Sequence, residues 1–204
     1  MTINQSQLNK SRLDKFLMVI NLPDPLRNIN NNYVGAKSGE KVINENSLQF
    51  SIYGAAVPSI TVPEQILPYG GQSFKVSSNA RSPYPNVSVN FTIDNKFNNY
   101  WFLYKWLDLL NDDRQSTFDT LDLSQTPAIP TRNRPKDKSS NPPDLYQTDI
   151  TVYGKDEFDK NIVKFLYTKA FPVSLGGINY NYRTPDEIET TFEFAFSQLI
   201  VELL

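Results

Sequence analysis

The chain contains no cysteine and no histidine. The first absence excludes disulfides, thiolate metal sites and cysteine nucleophiles. The second excludes imidazole ligands and Ser-His-Asp triads. A fold without disulfides does not depend on an oxidising compartment. An excess of one charge is lacking too: 20 Lys and Arg against 22 Asp and Glu leave a net charge of −2. That argues against a protein held on nucleic acid through phosphate contacts. No apolar run approaches the roughly 20 residues that cross a bilayer, so no membrane anchor is expected. The first fifteen residues are polar and do not read as a secretory signal.

What the sequence does have is apolar and aromatic mass. Of 204 residues, 39% are hydrophobic and 13% aromatic, enough for one globular domain with a real core. The prominence of Phe, Tyr, Val and Ile biases that domain toward strands. Residues 1–14 read as a flexible N-terminal arm and 15–204 as the single domain.

Period-two alternation carries most of the secondary-structure signal. Val87, Val89, Phe91 and Ile93 alternate with Ser88, Asn90, Thr92 and Asp94. Phe192, Phe194 and Phe196 alternate with Thr191, Glu193, Ala195 and Ser197, and one long strand is expected over 188–203. Further strands are expected over 15–22, 48–53, 148–154 and 162–177, with a short one over 178–183. An acidic turn over 155–161 joins the strands at 148–154 and 162–177. Residues 64–78 read as two arms around Gly70-Gly71, since paired glycines supply the positive φ of a tight hairpin.

One helix is expected, from Asn95 to Leu110, capped by Asp94 or Asn95. Phe97, Trp101, Tyr104 and Trp106 are among its many apolar positions, and only a narrow polar stripe of Asn98, Asn99, Lys105 and Asp108 interrupts them. A helix apolar over most of its circumference must be covered on more than one side. Loop insertions are expected at about 24–46, which is rich in Asn, and at 111–145, which is rich in Pro and mixed charge. The sum is a mainly β fold: an antiparallel β-sandwich or partly closed barrel with one flanking α-helix.

Gly35 to Lys41 lacks the spacing and flanks of a phosphate loop. The acidic residues gather in turns, where solvation accounts for them, and the 156–159 turn lacks the calcium-loop pattern. No catalytic residue, metal or cofactor is expected. Tyr167, Tyr180 and Tyr182 are candidates for a sugar-stacking platform, set against core packing or subunit contact. A carbohydrate-binding sandwich using Tyr69, Tyr180 and Tyr182 is the alternative from a different functional class.

A resemblance rests on the order of several segments. Lys169-Ala170-Phe171-Pro172 leads to Leu175-Gly176-Gly177, then Tyr180-Asn181-Tyr182, then Asp186-Glu187-Ile188-Glu189-Thr190-Thr191-Phe192 and a long terminal strand. Upstream stand the strand at 14–23, the stretch 48–64 with its Pro58 and Pro63, the hairpin over 67–76, the strand at 87–94 and the aromatic helix. This order resembles the tail tube proteins of contractile phages and, more distantly, secretion-system tube proteins.

The resemblance implies hexameric rings stacked into a tube, with one sheet of each subunit joining a continuous inner barrel. It implies sheath and baseplate proteins as partners, and DNA that passes through the lumen without specific binding. The location implied is the virion tail, assembled in the host cytoplasm. It places ring-stacking contacts on the hairpin, here Val62, Pro63, Gln65, Ile66, Tyr69, Gly70, Gly71 and Phe74. Helix packing or interface contacts are expected at Phe97, Trp101, Tyr104 and Trp106. A baseplate tube-initiator or a secretion-system tube protein is the alternative within the same class.

Overall fold

A computed structural model describes residues 12–31, 47–49, 51–55, 57–110, 146–183 and 186–204. Among these residues, ten strands and two helices run in the order β1 (Phe16–Asn21), α1 (Asp24–Asn31), β2 (Ser47–Gln49), β3 (Ser51–Ala55), β4 (Glu64–Tyr69), β5 (Gln72–Ser77), β6 (Val87–Thr92), α2 (Asn98–Leu110), β7 (Thr148–Lys155), β8 (Asn161–Leu175), β9 (Glu189–Ala195) and β10 (Gln198–Leu203). All pairings are antiparallel. The fold is therefore mainly β, as the alternation predicts. The expected insertion at 111–145, residues 32–46 of the other, and residues 1–11 of the arm lie outside the described residues.

The architecture turns on β8. Its first half pairs with β7 and β10, and its second half pairs with β9. One path of strands, β2-β1-β7-β8-β9-β6-β3, is thus divided at β8 into a front sheet (β2, β1, β7, β8, β10) and a back sheet (β8, β9, β6, β3). The bend is built by a bulge. Ile150 pairs with Tyr167 but Thr148 pairs with Ala170, so β8 carries one extra residue there. Lys169 at this point takes a φ of 53°, the left-handed excursion that lets a strand kink and twist. A second irregularity follows between Pro172 and Ser174.

Phe192, Phe194 and Phe196 share one face, as expected, but 188–203 is not one unbroken strand. It divides into β9 and β10 at Phe196-Ser197, opposite the bulge. The register is unchanged across the break: Phe171 pairs with Ala195 and Thr168 with Gln198. The C-terminal segment follows β8 around the corner and spans both sheets.

Four further expectations need correction. The 48–53 stretch is two strands: β2 pairs with β1 in the front sheet, and β3 pairs with β6 in the back sheet. Residues 178–183 form no strand, since Tyr180 and Tyr182 are both exposed and the segment has no buried face to align. Within the expected 24–46 loop, residues 24–31 form α1, so there are two described helices rather than one. Pro25 sits in its first turn, where a missing N–H costs nothing, and Leu26 and Asn30 are buried. The helix predicted over 95–110 starts later, at Asn98.

The core lies between the sheets and under α2. Met18, Ile20, Ile150, Val152 and Tyr167 come from the front sheet; Val87, Val89, Phe91, Phe192 and Phe194 come from the back. The Tyr167 ring meets Phe194 edge-on at 5.4 Å and Phe196 at 5.0 Å. Helix α2 adds Phe102, Leu103, Trp106 and Leu109, with Trp106 lying 5.9 Å from the Phe192 ring. Burial of this aromatic mass supplies most of the favourable free energy of folding.

Candidate assembly surface

The hairpin β4–β5 stands apart as its own two-stranded sheet. Its loop is Gly70-Gly71, closed by the pair Tyr69 and Gln72. Both glycines have positive φ, 57° and 80°, the signature of the type I′ turn that matches strand twist. At its root the ladder runs on, with Ser78 N–H donating to the Pro63 carbonyl at 3.0 Å and Ser82 N–H to the Thr61 carbonyl at 3.0 Å.

Residues paired directly across strands share a face. The pairs Gln65–Val76, Leu67–Phe74 and Tyr69–Gln72 make one face; Glu64–Ser77, Ile66–Lys75 and Pro68–Ser73 make the other. The first carries no charge and is apolar between two glutamines. The second holds an exposed ion pair, Lys75 Nζ to Glu64 Oε1 at 2.8 Å. The apolar face is unburied: Leu67 and Phe74 are each 50% exposed and Tyr69 is 74% exposed. An isolated two-stranded hairpin is marginal in water, and an apolar face left open is the usual mark of a contact site.

The eight hairpin residues singled out in the sequence all lie here and all are exposed. The structure puts Gln65, Tyr69 and Phe74 on the apolar face and Ile66 on the opposite one. Val62 and Pro63 lie at the root, and Gly70 and Gly71 at the tip. Leu67 and Val76 are missing from that set, although they complete the apolar face. Counting outward by twos from Gly70-Gly71 finds them.

The four helix residues separate. Trp106 is fully buried, and its Nε1–H donates to the Tyr146 carbonyl at 2.7 Å. Its role is packing within the subunit. Phe97 and Trp101 are half-buried, and Tyr104 is exposed. The polar stripe is not a solvated one: Asn99 and Asp108 are buried. Asn99 donates from Nδ2 to the Thr92 carbonyl at 3.0 Å and accepts from the Asp94 N–H at 3.3 Å, which fixes the turn between β6 and α2. Asp94 accepts from the Asn98 N–H at 2.7 Å, a cap at the helix start. Asp108 pairs with Lys105 Nζ at 3.0 Å, and that ammonium lies 5.4 Å from the centre of the Tyr104 ring.

The second open feature is β10. Among the described residues it pairs with β8 alone. Leu204 donates its N–H to the Ile162 carbonyl at 2.8 Å. The alternation of an antiparallel ladder then turns the backbone groups of Leu199, Val201 and Leu203 away from β8. Their side chains continue the core face that begins at Tyr167. Exposure rises along this row: Leu199 is half-buried, Val201 is 52% exposed and Leu203 85% exposed. Among the described residues, the row is thus covered near Tyr167 and exposed toward Leu203.

Tyr167 is not available to a surface tyrosine platform. Tyr167 is fully buried among Phe194 and Phe196, where burial pushes its hydroxyl up to about 12. Tyr180 and Tyr182 are exposed on the 176–183 segment, and Tyr69 lies on the hairpin. Among the described residues, no three Asp or Glu side chains converge as a metal site would need.

These features define a class: a β-sandwich that, among the described residues, presents an open strand edge and an exposed apolar hairpin face. Similar solved structures share the fold. The chain matches a subunit of an extracellular contractile injection system sheath-tube complex (TM-score 0.56, 11% identity, covering 96% of this chain and 93% of that one). It matches the tube-terminating cap of the anti-feeding prophage (TM-score 0.58, 13% identity, 100% of both chains). It also matches a chain of the anti-feeding prophage baseplate (TM-score 0.52, 11% identity, 92% of both chains). At these identities the likeness is one of fold. No curated protein sequence matches.

The family model of the phage tail tube protein matches residues 11–202. The chain belongs to the phage tail tube protein family, and its role is structural, as a tail component.

Proposed function

We propose that this chain is the tail tube subunit of a contractile-tailed phage, assembling into hexameric rings that stack into the channel for genome ejection. The observation that carries the reading is the pair of open features on one chain: an exposed apolar hairpin face, and a strand edge whose backbone groups find no partner strand among the described residues. Open edges invite pairing with another chain, and a closed ring removes them. In the ring, β10 of one subunit extends its sheet toward the edge strand β2 of the next. The hairpin, outside that sheet, makes the ring-to-ring contact through Leu67, Tyr69, Phe74 and Val76, together with the exposed root and tip residues. The near-neutral chain suits a lumen through which DNA slides without being held. Sheath and baseplate proteins are the expected outer and end partners. The whole tail is assembled in the host cytoplasm.

The test is negative-stain electron microscopy of the purified chain over a concentration series. Rings with a central hole, or stacked tubes, are expected. Single particles at every concentration, with and without baseplate proteins as template, overturn the reading. Copy number per virion then separates a main tube from a cap or baseplate ring.

A further inference from the structure

Every residue from Ser59 to Ser77 is exposed, so the hairpin takes its direction from its base rather than from packing on a sheet. Its two connections run together there, joined by the Ser78 N–H to Pro63 carbonyl and Ser82 N–H to Thr61 carbonyl bonds, each 3.0 Å. The connection toward β6 reads Ser82-Pro83-Tyr84-Pro85. Each proline fixes its own φ and holds the residue before it extended. Ser82 and Tyr84 both precede a proline, so this short segment is stiff. Tyr84 is half-buried, and its ring lies 4.9 Å from that of Phe196 at an interplanar angle of 33°. Arg81 Nη1 donates to the Tyr84 hydroxyl at 3.2 Å. Phe196 stands at the break between β9 and β10 and meets Tyr167 edge-on. Tyr84 is thus the outermost ring of a row that continues through Phe196, Phe194 and Phe192 to the buried Trp106.

We infer that Tyr84 is a positioning residue, a strut that sets the direction in which the hairpin leaves the body. A stiff segment pinned at two points cannot pivot. Ser82 pins it to the hairpin ribbon, and the Tyr84 ring pins it to the corner of the sandwich at Phe196. Without that ring, the ribbon turns about the end of β6, because its exposed residues offer no second hold. The same ring pair ties the hairpin to the place where β10 departs, so the two open features of the chain share one anchor. A hairpin held at one angle is preorganised, and a partner does not have to order it on association. This consequence for assembly rests on the tube-subunit reading; the strut itself does not.

The chain has no cysteine, so Ser73→Cys on the hairpin and Ser88→Cys on β6 take one nitroxide label each. Both positions are exposed. The distance between them is read by double electron–electron resonance, with unlabelled chain in excess so that only distances within one subunit count. A single narrow peak is expected in the parent and in Tyr84→Phe, which keeps the ring. Tyr84→Ala is expected to lose that peak to a broad distribution, while the thermal midpoint of the body stays near that of the parent. Tyr84→Leu takes its place if the alanine variant does not fold. A peak that stays narrow without the ring overturns the inference, as does a peak already broad in the parent. A phenylalanine variant as broad as alanine also overturns it, because the Arg81 bond rather than the ring would then hold the hairpin. On the tube-subunit reading, Tyr84→Ala also raises the concentration at which rings or tubes form. A parent that forms neither overturns that reading, and the resonance widths still decide the strut.

Discussion

Lys169 sits in the middle of the longest strand with a φ of 53°, and its backbone N–H is held by the Asp149 carboxylate at 3.3 Å. The side-chain oxygen takes the place of a ladder carbonyl that the bulge has removed from reach. This one residue is where the strand path leaves the front sheet for the back, so its conformation sets the angle between the layers. The Lys169 side chain is exposed, so substitutions there probe backbone shape alone. Lys169→Gly should keep stability within about 1 kcal/mol of the parent, whereas Lys169→Val should lose about 1–2 kcal/mol, since a β-branched residue resists the left-handed region. Asp149→Ala should lose about 1 kcal/mol with the hydrogen bond. Denaturant unfolding ranks the three. A valine variant as stable as glycine would mean that the kink is not built on this φ.

The helix separates core from surface just as sharply. Trp106→Ala should cost about 3–5 kcal/mol, through the cavity left against Phe192 and the orphaned Tyr146 carbonyl. Tyr104→Ala, two residues away and exposed, should change stability by less than about 0.5 kcal/mol. Equal losses at the two sites, measured by urea unfolding, would contradict the placement of α2.

Tyr167 gives a pH signature. Its hydroxyl titrates near 12 in the folded chain because burial disfavours the phenolate, against about 10 when unfolded. The unfolded state therefore releases its proton first as pH rises. Stability from this group is intact below pH 10 and is lost between 10 and 12, by an amount on the order of 2–3 kcal/mol. The thermal midpoint should fall over that window, and Tyr167→Phe should flatten the fall. An unchanged slope in the variant would assign the alkaline loss to other groups.

Much of this fold was legible because the alternation reports burial on one face. Val87, Val89 and Phe91, and again Phe192 and Phe194, alternate because a single core lies on one side of β6 and β9. The same rule failed at Tyr180 and Tyr182, where alternation exists without a core to serve. Breaks in pairing were not legible: nothing at Phe196-Ser197 announces the corner, because the bulge that causes it lies on the opposite strand. The separation of β2 from β3 is equally a matter of which neighbour each half meets. Helix α1 was obscured by Pro23, Pro25 and the asparagines, which read as loop although Pro25 starts the helix and Asn30 is buried in it. The hairpin was legible from Gly70-Gly71, but its apolar face was not, since Leu67 and Val76 join it by cross-strand register rather than by composition.

The hairpin offers the sharpest separation of folding from assembly. Gly71 has a φ of 80°, with open space around the position a Cβ would occupy. Gly71→Val therefore strains the turn without a clash, at a cost of about 1–2 kcal/mol confined to the hairpin. The hairpin ladder is separate from the eight-stranded sheet, so the thermal midpoint of the body should hold while the apolar face loses its shape. Assembly, read by sedimentation velocity, should then weaken. Gly70→Asn, which tolerates the left-handed region, should leave both properties near the parent. If the body melted earlier in the valine variant, the hairpin would belong to the cooperative core. If assembly were untouched, the contact surface would lie elsewhere, and the open edge of β10 would have to carry association alone.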